Sequence, residues 1–116
     1  MQYLLMIYSE EAAEMKATPE QITQTMVAYR AYTEALRKAG ALVASDRLKP
    51  TSTATTVHVA NGKTEVLNGP YAETREQLGG YYQIEAKDLD EALSWAARCP
   101  GATGGKIEVR PIWSMT

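Results

Sequence analysis

The chain of 116 residues carries 12 Lys and Arg against 14 Asp and Glu, a net charge of -2 at pH 7, and is 45% hydrophobic and 22% charged. This is the balance of a single globular domain spanning residues 1–116, and it excludes a disordered tail, a collagen-like repeat and a disulfide-stapled miniprotein. One His and one Cys cannot assemble a structural zinc site, and a lone Cys has no internal disulfide partner, so neither a metal nor a stapling bond is expected. An unpaired thiol suits a reducing cytoplasm. The cations are scattered, which argues against direct nucleic-acid binding, and no stretch approaches the ~20 apolar residues of a membrane span. No motif specifies phosphate, nucleotide, flavin or another cofactor.

The first predicted element is a strand from Gln2 to Tyr8, apolar on both faces and therefore expected at the centre of its sheet with both faces covered. It lacks the basic start of a signal peptide. Thr18-Pro19-Glu20-Gln21 then marks a helix start: Thr18 as N-cap, Pro19 at the first helical position, Gln21 closing a capping box. Ile22, Met26, Tyr29, Thr33 and Leu36 recur at three- and four-residue spacing and predict the buried stripe, and Gly40 ends the helix. Leu42 to Leu48 reads as a second strand. Residues 55–60 and 63–67 flank Asn61-Gly62, the strongest short hairpin signal, and a two-residue turn sets Ala60 against Lys63, Val57 against Val66 and His58 against Glu65. Gly79 to Lys87 is the next strand. Asp88 caps a second helix whose buried stripe is predicted at Leu89, Ala92, Leu93 and Ala96, and Cys99-Pro100-Gly101 stops it. The last strand runs from Ile107 to Trp113, and Pro111 places it at an edge or a fraying end.

The order β-α-β, inserted hairpin, β-α-β predicts an α+β, ferredoxin-like fold. Both helices then cover one face of the sheet, and a chain of this length has no third layer for the other. A homodimer packed sheet against sheet is the expected solution.

The stretch Asn68-Gly69-Pro70-Tyr71-Ala72-Glu73-Thr74-Arg75-Glu76, continuing through Gly79-Gly80-Tyr81, resembles the DGPF-type branch of the YCII-related family, whose signature runs Asp-Gly-Pro-Phe-Ala-Glu-Thr-Lys-Glu and on into Gly-Gly-Tyr. The likeness extends to Asp88–Leu93, to Trp95-Ala96-Ala97, to the closing Ile107–Pro111 and to the helix ending at Gly40. It implies a dimeric α/β barrel of ferredoxin-like protomers. Some members of that family act as small-molecule lyases or dehydrochlorinases, and some are fused to extracytoplasmic-function sigma factors, which implies either a small-molecule ligand or a sigma-factor partner. The wider family carries a His on the first helix and an Asp just before a Pro after the second. Those positions fall here on Tyr29 and on Cys99-Pro100, and the signature Asp and Phe are Asn68 and Tyr71. General-base catalysis by a His-Asp pair is therefore not expected, because a tyrosine with an ordinary pKa of about 10 is no base near neutrality.

Each candidate has a structural alternative. Tyr29, the candidate catalytic or ligand-binding hydroxyl, also suits a core tyrosine with one hydrogen bond. Asn68 and Tyr71, with Glu73 and Arg75 at the rim, are the candidate ligand-binding loop, yet Asn-Gly-Pro is equally turn chemistry. His58 faces Glu65 across the hairpin and reads as a surface pair. Cys99 reads as an inert thiol at a helix end, where the dipole opposes a thiolate. Trp95 and Trp113 read as core or dimer-interface anchors.

Overall fold

The computed structural model describes residues 1–114. In chain order the elements are β1 (Gln2–Ser9), α1 (Glu11–Glu14), α2 (Pro19–Lys38), β2 (Leu42–Arg47), a 3-10 turn at Thr51–Thr53, β3 (Thr55–Ala60), β4 (Lys63–Asn68), β5 (Gln77–Glu85), α3 (Leu89–Arg98), α4 (Gly101–Gly104) and β6 (Lys106–Pro111). The sheet order is β2-β5-β1-β6, and every neighbouring pair is antiparallel. The connection through α2 passes over β5 and the connection through α3 passes over β1, so two β-α-β units interleave in one sheet. This is a mixed α+β fold with antiparallel sheets, and the protomer forms no closed barrel.

Local chemistry sets the helix ends as the residues predict. Thr18 and Gln21 form the reciprocal capping box, with Pro19 opening the helix, and the Asp88 carboxylate accepts from the Glu91 amide at 2.9 Å. Asn61 and Gly62 both take positive φ, 51° and 76°, the left-handed pair that a two-residue hairpin turn requires. The hairpin register is the expected one, Val57 on Val66 and His58 on Glu65.

The core lies between the sheet and its helices. Tyr3, Leu5, Ile7, Tyr82 and Ile84 meet Tyr32 and Leu36 of α2 and Ala92, Trp95 and Ala96 of α3. Leu5, Leu36 and Ile84 are completely buried, each stabilising the fold by roughly 1.5–3 kcal/mol relative to exposure.

Several expectations are corrected here. β1 is central, between β5 and β6, but only its odd-numbered face is buried, the side on which α2 and α3 pack. The stripe of α2 holds only toward its C-terminus. Ile22 and Met26 are 46% and 49% exposed, since twenty helical residues span about 30 Å and overrun the sheet beneath. Tyr32, absent from the predicted stripe, is buried. On α3 Leu89 and Leu93 are exposed while Trp95 is buried, so the inward face is rotated toward the Trp. Trp113 is 88% exposed and is no core anchor. β6 pairs only with β1 and ends at Pro111, an edge strand as the proline implies.

The protomer is extended for its length. Its radius of gyration is 16.2 Å, against about 13 Å for a compact chain of this size. The β3–β4 hairpin contributes to this, since its two strands form a separate two-stranded sheet and pack principally on each other.

Candidate functional site

Tyr29 sits on α2 above the end of β1, half-buried. Its hydroxyl reaches the junction between α3 and α4, beside Gly101 and near the Cys99 thiol. The approach is close: a methyl group at Gly101 would lie 2.6 Å from the Tyr29 oxygen and 3.0 Å from Ile7 Cγ2. Glycine at 101 is what lets this hydroxyl in. The two positions that the family likeness matches to a His-Asp dyad are therefore neighbours, although the side chains there are a phenol and a thiol.

Around this contact runs a chain of satisfied hydroxyls. Thr33 Oγ1 donates to the Tyr29 carbonyl at 2.8 Å and shares a 2.7 Å hydrogen bond with the Tyr82 hydroxyl. With its single proton committed to the carbonyl, Thr33 receives the Tyr82 proton. Tyr32 donates to the Trp95 carbonyl at 2.8 Å, packs edge-on to Tyr82 at 5.1 Å, and Arg98 lies 4.4 Å over the Trp95 ring. No buried side-chain nitrogen or oxygen among the described residues lacks a partner.

The electrostatics follow from burial. Desolvation, then the Cys99 thiol beside it, pushes Tyr29 far above its ordinary value of 10.0. Tyr32 moves the same way for the same leading reason, and burial raises Tyr82 and Cys99 as well. The cluster is protonated and neutral at physiological pH. Tyr29 can donate a hydrogen bond; it cannot take a proton from a substrate, and Cys99 is no thiolate nucleophile.

The loop following β4 is a different environment. Asn68 is the last residue of β4, paired with Thr55. Gly69 takes φ 106°, and the turn is pinned by Gly69 N–H donating to the Ala54 carbonyl at 2.7 Å and Thr56 Oγ1 donating to the Gly69 carbonyl at 2.8 Å. Beyond it Tyr71 is 91% exposed, Glu73 is exposed, and Arg75 lies 3.8 Å from the Glu10 carboxylate. The structure does not bring Asn68, Tyr71, Glu73 or Arg75 against Tyr29.

What the loop does reach is a cleft of about 500 Å³ at the same end of the sheet, lined by Tyr8, Thr74, Glu76, Lys106, Ile107 and Glu108. Lys106 pairs with Glu76 across it. Ile107 is the shared wall between this cleft and the Tyr29 cluster, its Cδ1 lying 3.7 Å from the methyl position at Gly101. Gly105 permits the geometry, since a methyl there would fall 2.1 Å from the Tyr8 carbonyl oxygen. Sequence reasoning missed Tyr8, Glu76 and Lys106. The available signal was Gly104-Gly105 directly before a strand, a mark of close backbone approach. His58 is exposed on the hairpin, opposite Glu65. Among the described residues no three His, Cys, Asp or Glu side chains gather as metal ligands, and no helix is long and apolar enough to cross a membrane.

Two interleaved β-α-β units with both long helices on one face define the class as a small α+β domain. Residues 1–116 match the YCII-related domain, and the chain belongs to that family. It is similar to an uncharacterised protein of Rhizobium meliloti (strain 1021), 37% identical over 114 residues that cover 97% of this chain and 92% of the relative.

Proposed function

We propose that this protein is a homodimeric, cytoplasmic member of the DGPF-type branch, with ferredoxin-like protomers joined as a dimeric α/β barrel, and that it binds a small molecule in the cleft between Tyr8, Glu76 and Lys106. The observation that carries the binding reading is the cleft itself. It is bounded by the continuation of the Asn68–Arg75 loop, and it places one cation and two carboxylates, Lys106, Glu76 and Glu108, around an opening of about 500 Å³. That size, with apolar walls from Tyr8 and Ile107 and a few charged groups, suits a small, largely apolar ligand with a polar end. In this reading Asn68, Tyr71, Glu73 and Arg75 belong to a flap in front of the cleft, and Tyr29 stands behind Ile107 as a hydroxyl that supports the wall.

The protonated state of Tyr29 and Cys99 favours binding without turnover, a degenerate relative of lyase- or isomerase-type enzymes. The alternative, a module regulating an extracytoplasmic-function sigma factor, rests on the family likeness alone.

The test is a thermal-shift screen of the full chain against small aromatic and carboxylic acids, amines and sugars, repeated with Lys106→Ala. A ligand at a hundredfold excess over its dissociation constant stabilises the folded state by about 2.7 kcal/mol. The reading expects a compound that raises the melting temperature of the wild type and leaves Lys106→Ala unmoved. Equal shifts in both proteins place the ligand elsewhere and overturn the assignment to this cleft.

A further inference from the structure

We propose that the β3–β4 hairpin is an arm whose valine face packs on a second copy of this chain, the two copies exchanging arms reciprocally. The inference rests on the dimer reading above and deepens it by naming the element that grips.

The hairpin is amphipathic by construction. Val57, Val59 and Val66 share one face with Thr55, Thr64 and Asn68, while His58, Glu65 and Lys63 lie on the other with Thr56, Ala60 and the single large apolar side chain Leu67, as the ladder register requires. Alternation of this kind is the pattern of a strand with one buried face. Yet Val57, Val59 and Val66 are each 60% exposed, and each strand packs principally on the other. A lone two-stranded hairpin is at best marginally stable in water. The pattern therefore anticipates a surface that the protomer does not supply.

The arm does not fold back onto its own body: its strands pack chiefly on each other, and the protomer, 47 × 46 × 18 Å, has one thin dimension, with room for one sheet and one helix layer. A second surface is the side of the main sheet opposite the helices, where half-buried Leu4 and Met6 lie beside Gln83, Arg110, Tyr81 and Glu108 and no helix among the described residues covers them.

Area then argues for a second copy engaged through both surfaces. Four strands about 4.8 Å apart and ~20 Å long present a face of roughly 400 Å², and two such faces in contact remove on the order of 800 Å² from water. That is the size of a crystal contact, short of the roughly 1,200–2,000 Å² of a stable specific interface. One face of an arm ~20 Å long and ~10 Å wide covers roughly 200 Å² on itself and as much on its seat. Two exchanged arms add about 800 Å², which brings the total to about 1,600 Å², the standard size. The other face, with His58, Glu65 and Lys63 outnumbering Leu67 as large side chains, stays in water.

Sedimentation velocity on the full chain, from nanomolar to high micromolar concentration, tests this with Val57→Asp/Val66→Asp and with His58→Ala as the polar-face control. Hydrogen exchange of wild-type residues 55–68 is followed over the same range. The expected result is a wild-type dimer, an arm variant whose dimerisation is weakened about tenfold or more, an unaffected His58→Ala, and amide protection in the arm that appears only as the dimer forms. A wild-type dimer whose affinity the arm variant leaves intact overturns the arm and spares the dimer. Should the double variant misfold, arm amides that exchange equally fast in monomer and dimer overturn it instead. A wild type that stays monomeric throughout overturns the dimer reading and the arm together.

Discussion

The inner side of the main sheet and the valine side of the hairpin carry the same alternation of apolar residues and meet opposite fates. Leu5 and Ile84 are completely buried beneath the helices, whereas Val57 and Val66 remain 60% exposed. Strand period decides which residues share a face; it does not decide whether anything covers that face. The contrast also separates two sources of stability. In the body, burial under helices holds the strands, and the arm has cross-strand pairs worth only ~0.2–1 kcal/mol each.

The sharpest way to break this contrast is truncation on each side. Leu5→Ala is expected to cost about 2–5 kcal/mol, read by urea unfolding in dilute solution, while Val57→Ala stays within about 0.5 kcal/mol under the same conditions. Comparable losses at the two sites would mean that the arm is covered within its own protomer. A smaller effect is expected where the body is tightest. Gly101→Ala sets a methyl group against the Tyr29 hydroxyl and Ile7 and is expected to destabilise by about 1–3 kcal/mol. In a Tyr29→Phe background part of that cost disappears, because the nearer obstacle has gone. If the penalty is the same in both backgrounds, the hydroxyl is not what Gly101 accommodates.

The smallest expected difference is in alkaline stability. Tyr29, Tyr32 and Tyr82 have folded-state pKa values raised above 10.0, with burial the leading cause in each. Protons are therefore held more tightly in the folded chain than in the unfolded one. The stability this represents is fully present below pH 10 and declines as pH rises from there through the folded values. Tyrosinate absorbance from these three rings should consequently develop together with unfolding in an alkaline titration. Tyr29→Phe should move the onset of unfolding upward slightly, since one of three proton-linked rings is gone; early ionisation of all seven tyrosines ahead of unfolding would contradict the buried cluster.

Much of the body was legible residue by residue. Thr18, Gln21 and Asp88 announce their helix ends because capping is a local exchange of hydrogen bonds. Asn61-Gly62 announces the turn and the register that follows from it. The inward faces of the helices were less legible: Ile22, Met26, Leu89 and Leu93 have the right spacing and lie in solvent. Spacing gives a stripe, whereas coverage depends on how far the sheet extends beneath it. The short helices Glu11–Glu14 and Gly101–Gly104 carry too few residues for any period to show.

The candidate site divides in the same way. Tyr29 and Cys99 were singled out from sequence and do meet, but their protonation follows from a desolvated surrounding that no local pattern encodes. Tyr71, Glu73 and Arg75 were singled out as well, and the chain leaves them toward solvent while turning Thr74 and Glu76 to the cleft. Gly105, which permits the close approach to Tyr8, gives no sign in sequence of which backbone it will meet.

Sequence by itself determined the strands and long helices, the caps of those helices and the hairpin register, because each depends on neighbours within a few residues. Only the tertiary structure decided which faces are covered, that Tyr29 is neutral against Cys99, and that the cleft belongs to Tyr8, Glu76 and Lys106. Burial and desolvation depend on segments distant in the chain, brought together only after the sheet has assembled.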